Sequence, residues 1–429
     1  MISLLIACTD PVVVDSSPPT SESTPLDSEA PANELASPAP AVDLDDAAEV
    51  LHASFVVEDF AYNGQVPGPT LRAKLGDTLI VDLENKLEVE TTIHWHGLAV
   101  PYAMDGVTWQ SDPIAPGESF RYEFPLNQAG TFWYHPHFDT QAQVDRGIYG
   151  LLVVEDPSDP SPDREVLVAA DIPDEVGEDG EHVHGQHGAG GLWTVNGLSA
   201  PTLPVEAGER VLVRIVNTSN TGYLDLRDVR VVGNDQGVLA APTDSVLLGP
   251  GDRAALEFLP GSEPIEVMSG SHSLSGPGME HHDQLLFTLV PSGSEASADP
   301  LPFDFSGEAA TPDPGTTDVL YTFQGGAHTE QWAINGEQYP DVTVETLQSG
   351  GTYVIEVRNL SPTEHPFHLH GLEFEVLGSE EKRVEDTLNV PIRGSVRLLV
   401  EANNVGDWMA HCHILPHAHG GMMTVLRVE

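Results

Sequence analysis

The 429-residue chain has only two cysteines, and only 17 Lys+Arg stand against 67 Asp+Glu, a formal charge of -50. Phosphate contacts need basic side chains, so this imbalance excludes nucleic acid as a partner. Cys8 and Cys412 offer no disulfide framework. No stretch approaches the roughly 20 consecutive apolar residues of a membrane helix. Helical periodicity is scarce, which turns attention to strands.

A chain of this length holds two or three domains, each able to bury its own core. Its 40% hydrophobic content suits a soluble globular protein. The first 48 residues contain no Lys or Arg, yet the remainder is strongly acidic too. Such a surface serves solubility or high salt, or else provides a field that attracts cationic substrates or metal ions.

Near the start, Leu5-Ile6-Ala7-Cys8 resembles the lipobox of bacterial lipoproteins, in which the cysteine becomes a lipidated terminus. Residues 1–8 lack the basic region of a complete signal, so they read as a partial one, with the start upstream or the likeness fortuitous. Residues 9–48, rich in Pro, Ser, Asp and Ala, are expected to form a disordered tether.

One pattern then occurs three times, as "NGQVPGPTLRAKLGDTLIVDLEN" from Asn63, "NGLSAPTLPVEAGERVLVRIVN" from Asn196 and "NGEQYPDVTVETLQSGGTYVIEVRN" from Asn335. In each copy Asn-Gly marks a turn, proline interrupts an edge, and an alternating apolar run reads as a half-buried strand. The repeat predicts three all-β sandwiches, over 49–160, 161–295 and 296–429. Domain ends repeat as well: "AGTFWYHPHF" and "VGDWMAHCHI" share Gly, an aromatic and His-x-His, a pair that the middle copy lacks.

Four histidine clusters stand out: "HWHG" (His94, His96), "HPHF" (His135, His137), "HPFHLHG" (His365, His368, His370) and "HCHILPHAHGGM" (His411, Cys412, His413, His417, Met422). Residues i and i+2 of a strand share a face, so each His-x-His can present two imidazoles to one site. One such pair is weak; four at equivalent domain ends point to metal. Two imidazoles, a thiolate and a weak axial thioether form the donor set of a blue-copper electron-transfer centre, and His365, Cys412, His417 and Met422 supply it. Zinc accepts Cys and His but leaves the further histidines unexplained.

On these motifs, in this order and spacing, the chain resembles the multicopper oxidases (laccases, ascorbate oxidase, bacterial copper-efflux oxidases) over about residues 49–429. The resemblance implies three cupredoxin-like Greek-key β-sandwich domains and four copper ions: one type 1, one type 2 and a coupled type-3 pair. Carried over by motif, His365, Cys412, His417 and Met422 hold type 1, while His94 and His368 hold type 2. His96, His135, His137, His370, His411 and His413 hold the type-3 pair. Cys412 would pass electrons from a reductant through His411 and His413 to the cluster, where O2 becomes water. Alternation makes this feasible, because Cys412 points to one side of its strand and both neighbours to the other. The family keeps an acid for proton delivery at the position of Asp105, which local sequence alone reads as a turn aspartate before Gly106. A glutamate that many bacterial relatives carry after the second type-1 histidine is Ala418 here, which leaves His419 as a weak substitute.

The reductant is expected to dock at an exposed edge of His417 or His365. Phenolic substrates, as in laccases, are the first expectation; Cu(I), Fe(II) or Mn(II) is the second. "EHVHGQH" and "SHSLSGPGMEHH" place His182, His184, His187, His272, Met279, His281 and His282 in Gly-rich loops able to take a soft metal or to remain plain exposed loops. A non-catalytic copper-binding envelope protein would have lost ligands, and a copper nitrite reductase would lack the paired type-3 histidines. Export to the bacterial periplasm or cell envelope, anchored through Cys8, completes the expectation.

Overall fold

A computed structural model describes residues 33–429 apart from 46, 174, 177–181, 184–191, 273–282, 295, 306 and 327–330. Each repeat builds the same unit. Val50–Glu58 pairs in parallel with Thr78–Asn85, Arg164–Asp171 with Val211–Asn217, and Val319–Gly325 with Thr352–Asn359.

Two asparagines per repeat explain the pattern. Asn63, Asn196 and Asn335 sit at φ of 51°, 50° and 55°, a conformation asparagine tolerates better than most residues. Each side chain clamps the preceding strand: Asn63 accepts from Val56 N (2.7 Å) and donates to Ser54 O (3.0 Å). Asn196 does the same with Ala169 and Leu167, and Asn335 with Thr322 and Leu320. The second asparagine ends the alternating strand and is fully buried. Asn85 donates to Val89 O and Ile114 O and accepts from Leu87 N; Asn217 and Asn359 repeat this with Gly222, Leu248 and Ser219, and with Thr363, Val390 and Ser361. A buried amide with its hydrogen bonds made fixes the loop that follows. In the first and third repeats that loop leads to His94 and His365.

The first domain stacks two four-stranded sheets around Phe55, Leu79, Trp95 and Phe132. The third stacks a six-stranded and a five-stranded sheet around Tyr321, Ile355, Phe367 and Trp408. In the middle domain eight strands form one hydrogen-bonded path, and a ninth, Gly237–Leu248, branches from it by pairing with Leu224–Asn234. Its bulged strand Leu224–Asn234 pairs with Ile265–Gly270 at one end and Arg253–Phe258 at the other, so one sheet wraps both sides of the core. The only α-helices among the described residues are Thr140–Asp145 and Leu415–His419. None is long and apolar enough to cross a membrane.

The expected tether to residue 48 is corrected over its last part. Leu35 is 2% exposed within the middle domain's core, and Asn33 and Leu35 flank Thr202, which donates its backbone N–H to Asn33 O and accepts from Leu35 N. Ala39 and Ala41 do the same with Thr70 of the first domain, and Asp43 accepts from His52 N at 3.1 Å. Composition suggested disorder, but two sheet edges offer unpaired backbone groups and Leu35 has a core to enter.

Candidate metal centres

Two antiparallel strand pairs carry the clustered histidines. In the first domain His94 faces His135 across His94–His96 and Gly130–His135. In the third, His368 faces His411 across His365–Leu369 and Gly406–Cys412. Each His-x-His-Gly ends in a glycine at positive φ, Gly97 at 90° and Gly371 at 64°. A Cβ on Gly97 would lie 2.5 Å from Arg253 Nη2 and 2.7 Å from Asp386 Oδ2, and one on Gly371 would lie 2.2 Å from Trp408. The glycines thus serve a left-handed turn and a close approach together.

Eight imidazoles interleave between these pairs. His94 stacks on His370 at 3.9 Å, His96 stacks on His368 at 3.8 Å, and His370 Nε2 lies 3.1 Å from His411 Nε2. Ligand nitrogens fall within 4.8 Å of one another in His94, His96 and His135, in His94, His368 and His370, and in His137, His370 and His411. His413 lies edge-on to His96, ring centres 4.8 Å apart. The ligands predicted from the two ends of the sequence therefore meet in one place.

Burial and neighbouring rings hold His96, His135, His137, His368, His370 and His413 well below the usual imidazole range, and His411 at about 4. These rings are neutral at pH 7, with lone pairs available. The buried nitrogens His94 Nε2, His96 Nδ1, His135 Nε2, His368 Nε2 and both of His413 have no hydrogen-bond partner. So many orphaned acceptors in one interior space would be costly without a cation. The donor set fits metal.

Outer partners orient the rings, as metal-bound histidines require. Asp105 is fully buried; its Oδ2 accepts from His370 Nδ1 at 2.9 Å and its backbone oxygen from His94 Nδ1 at 3.0 Å. Across the site the backbone oxygen of Asp386 accepts from His368 Nδ1 at 2.9 Å, and its carboxylate lies 3.3 Å from His96 Nε2. Arg253, 1% exposed, grips that carboxylate through two bonds of 2.7 and 2.6 Å, approaches Asp235 at 3.3 Å and donates to Thr131 O at 2.7 Å. This guanidinium joins all three domains directly behind the cluster. Sequence reading missed Arg253 and Asp386, whose local motifs are ordinary.

On the opposite side of strand Gly406–Cys412, Cys412 Sγ lies 3.4 Å from His365 Nδ1 and 3.7 Å from His417 Nδ1. Met422 is buried and bonded through its backbone to Cys412 and His417. Burial pushes the Cys412 thiol up and His365 down to about 3. A bound cation would reverse the first effect by displacing the thiol proton. Contrary to expectation neither histidine has an exposed edge: His365 is 0% and His417 1% exposed. Ser361 Oγ lies 2.6 Å from His365 Nε2, and Trp332 lies flat on His417 at 3.6 Å.

A pocket of about 180 Å³ reaches His137 and His411 and is lined also by Trp109, Tyr339, Ala418 and His419. Of the His-rich loops, His184, His187, Met279, His281 and His282 lie outside the described residues. His182 lies on a two-residue strand paired with Glu175–Val176. His272 Nε2 meets Glu364 Oε2 at 2.9 Å, beside His365.

The multicopper oxidase family matches residues 51–159 and 312–429. A multicopper oxidase crystal structure from Pseudomonas thermotolerans is 30% identical, covers 89% of this chain and 100% of its own, and superposes with a TM-score of 0.75. The chain belongs to the multicopper oxidases. Multicopper oxidase MmcO of Mycobacterium tuberculosis is 27% identical over 86% of this chain and 83% of its own. A laccase of Trametes maxima is 27% identical over 85% and 88%. As a multicopper oxidase this protein is a copper-dependent oxidoreductase on three cupredoxin-like domains, with O2 as acceptor and coppers of types 1, 2 and 3.

Proposed function

We propose that this oxidase is laccase-like, taking single electrons from phenolic or other small reductants at the centre held by His365, Cys412, His417 and Met422. One observation carries the reading: a complete mononuclear donor set and a complete cluster share the tripeptide His411-Cys412-His413, so electron entry and O2 reduction lie on opposite faces of one strand. Copper supplies the one-electron redox change at the first site and O2 reduction at the second. His94 and His368 are our type-2 ligands. Ring spacing supports His137, His370 and His411 around one type-3 position and His96, His135 and His413 around the other. Asp105, hydrogen-bonded to His370 and touching His94, orients both rings and is the residue we assign to proton delivery.

The second reading, oxidation of a reduced metal ion, is favoured by His272 and Glu364, an imidazole and a carboxylate adjoining His365. Oxygen consumption by the copper-loaded protein with hydroquinone and with Cu(I), repeated after deleting residues 271–282, separates the two. Phenol turnover indifferent to the deletion supports the laccase reading. Preference for Cu(I) that collapses with the deletion overturns it. We further propose that the protein acts outside the cytoplasm, in the periplasm or cell envelope, held by lipid on Cys8.

A further inference from the structure

The pocket of about 180 Å³ that reaches His137 and His411 carries metal donors of its own, since Met409, Met423, His419 and Asp139 line it as well. Asp139 and His419 are exposed, Met423 and His137 are half-buried, and Met409 and His411 are buried. The walls therefore run from the surface to the cluster. Met409, Met423 and His419 belong neither to the cluster nor to the type-1 centre.

Strand geometry puts the two thioethers there. Met409 lies two residues before His411 on Gly406–Cys412, hence on the same face of that strand. On the adjoining strand Met423–Val428, Met423 pairs with His411 and Val425 with Met409, so the two methionines are diagonal neighbours. Diagonal side chains of this length reach one another. Their face is the one opposite Cys412, which separates them from the electron-entry side. His419 comes from the helix Leu415–His419 and completes the set. Two of the chain's seven methionines thus border one small space beside an exposed imidazole. A passage for O2 or water needs no sulfur. Thioether is a soft, polarisable donor, and together with imidazole it suits Cu(I).

We propose that Met409, Met423 and His419 form a transient Cu(I) site, and that copper fills the trinuclear cluster through it. Asp139 at the rim and the formal charge of -50 draw the cation in. Passage inward is ligand exchange: bonds to the two sulfurs break as bonds to the His137 and His411 imidazoles form, with no change of oxidation state. The cluster offers more imidazoles than the pocket has donors, which sets the direction. Copper here is the future cofactor, not a reductant. This rests on the cluster assignment above.

The test compares wild type with Met409→Leu/Met423→Leu, which keeps side-chain volume and removes both sulfurs, and with His419→Gln at the surface. Copper-loaded proteins are dialysed against Ag(I), a redox-inert soft cation, and bound silver is counted; silver held elsewhere on the chain is common to all three and cancels. The double Leu variant is expected to bind one Ag(I) fewer, and His419→Gln to weaken that site about tenfold or more, the range for disturbing a metal partner. Equal silver binding by wild type and the Leu variant makes the methionines plain walls and overturns the proposal. The copper-free proteins are then given Cu(I) anaerobically, quenched with a chelator at intervals and reoxidised in air, and type-2 EPR intensity is read beside the blue band. Cluster filling should slow in both variants by a factor similar to the lost affinity, while the blue band grows at the wild-type rate. Unslowed cluster filling also overturns the proposal. A wild type that gains the blue band but no type-2 signal would sink the cluster assignment instead.

Discussion

Replacing Arg253 by methionine should strip the trinuclear site of order while leaving the type-1 centre in place. The guanidinium makes two charge-assisted bonds to Asp386, lies 3.3 Å from Asp235 and donates to the Thr131 carbonyl, all without solvent. Methionine keeps much of the apolar stem, so the change is chiefly loss of the cation. Removing one partner from a buried ion pair typically costs about 3–5 kcal/mol, because the other charge stays behind. Here two carboxylates stay behind, and Asp235 is already pushed up by burial, so the upper end is expected. Protonating a stranded carboxyl relieves the penalty, so the deficit against wild type should shrink as pH falls. Asp386 also orients His368 and approaches His96, and disturbing such an outer partner weakens metal affinity roughly 10–100-fold. Guanidinium unfolding of the copper-free proteins, with copper content and type-2 EPR intensity of the loaded ones, measures both effects. A loss under about 1 kcal/mol with full cluster copper would show that the buried ion pair does not hold the domains. Arg253→Lys should recover only part, since lysine lacks the planar fork.

Cys412→Ser should abolish the blue band and turnover while cluster copper is retained; its folding cost, about 1–3 kcal/mol for a buried hydroxyl, is checked by denaturation. Asp105→Asn keeps an acceptor for His370 but cannot carry a proton, so kcat should drop roughly 100-fold or more at unchanged copper content; unaltered steady-state turnover would remove Asp105 from proton delivery. The copper-free protein should weaken as pH falls below about 6.5, where unfolded histidines take up protons that the buried ones resist. His411 alone, lowered from 6.5 to about 4, contributes about 3 kcal/mol of this loss by the time pH reaches its folded value. Copper keeps these imidazoles unprotonated, so loading should shift the acid transition downward, and identical acid transitions with and without copper would contradict the assigned ligands.

The His-x-His pairs were legible because strand alternation is local: i and i+2 share a face whatever the rest of the fold does. The Asn-Gly repeats were legible for a related reason, since one residue both makes the turn and clamps its own hairpin. Arg253 and Asp386 were hidden because their meaning arises only when strands 133 residues apart converge. The closed type-1 site escaped notice because Trp332 in "QWAING" reads as an ordinary core aromatic beside a turn. Residues 33–45 misled by composition, which reports average burial and not the single Leu35 that decides it.

The division of the cluster between first and third domains also sets a clock. At roughly 5–20 residues per second of synthesis, the 319 residues from His94 to His413 take about 16–64 s to appear. Through that interval the first domain can fold while its four histidines have no counterpart. Copper gained then would be held by half a site, so final metallation has to wait for chain completion.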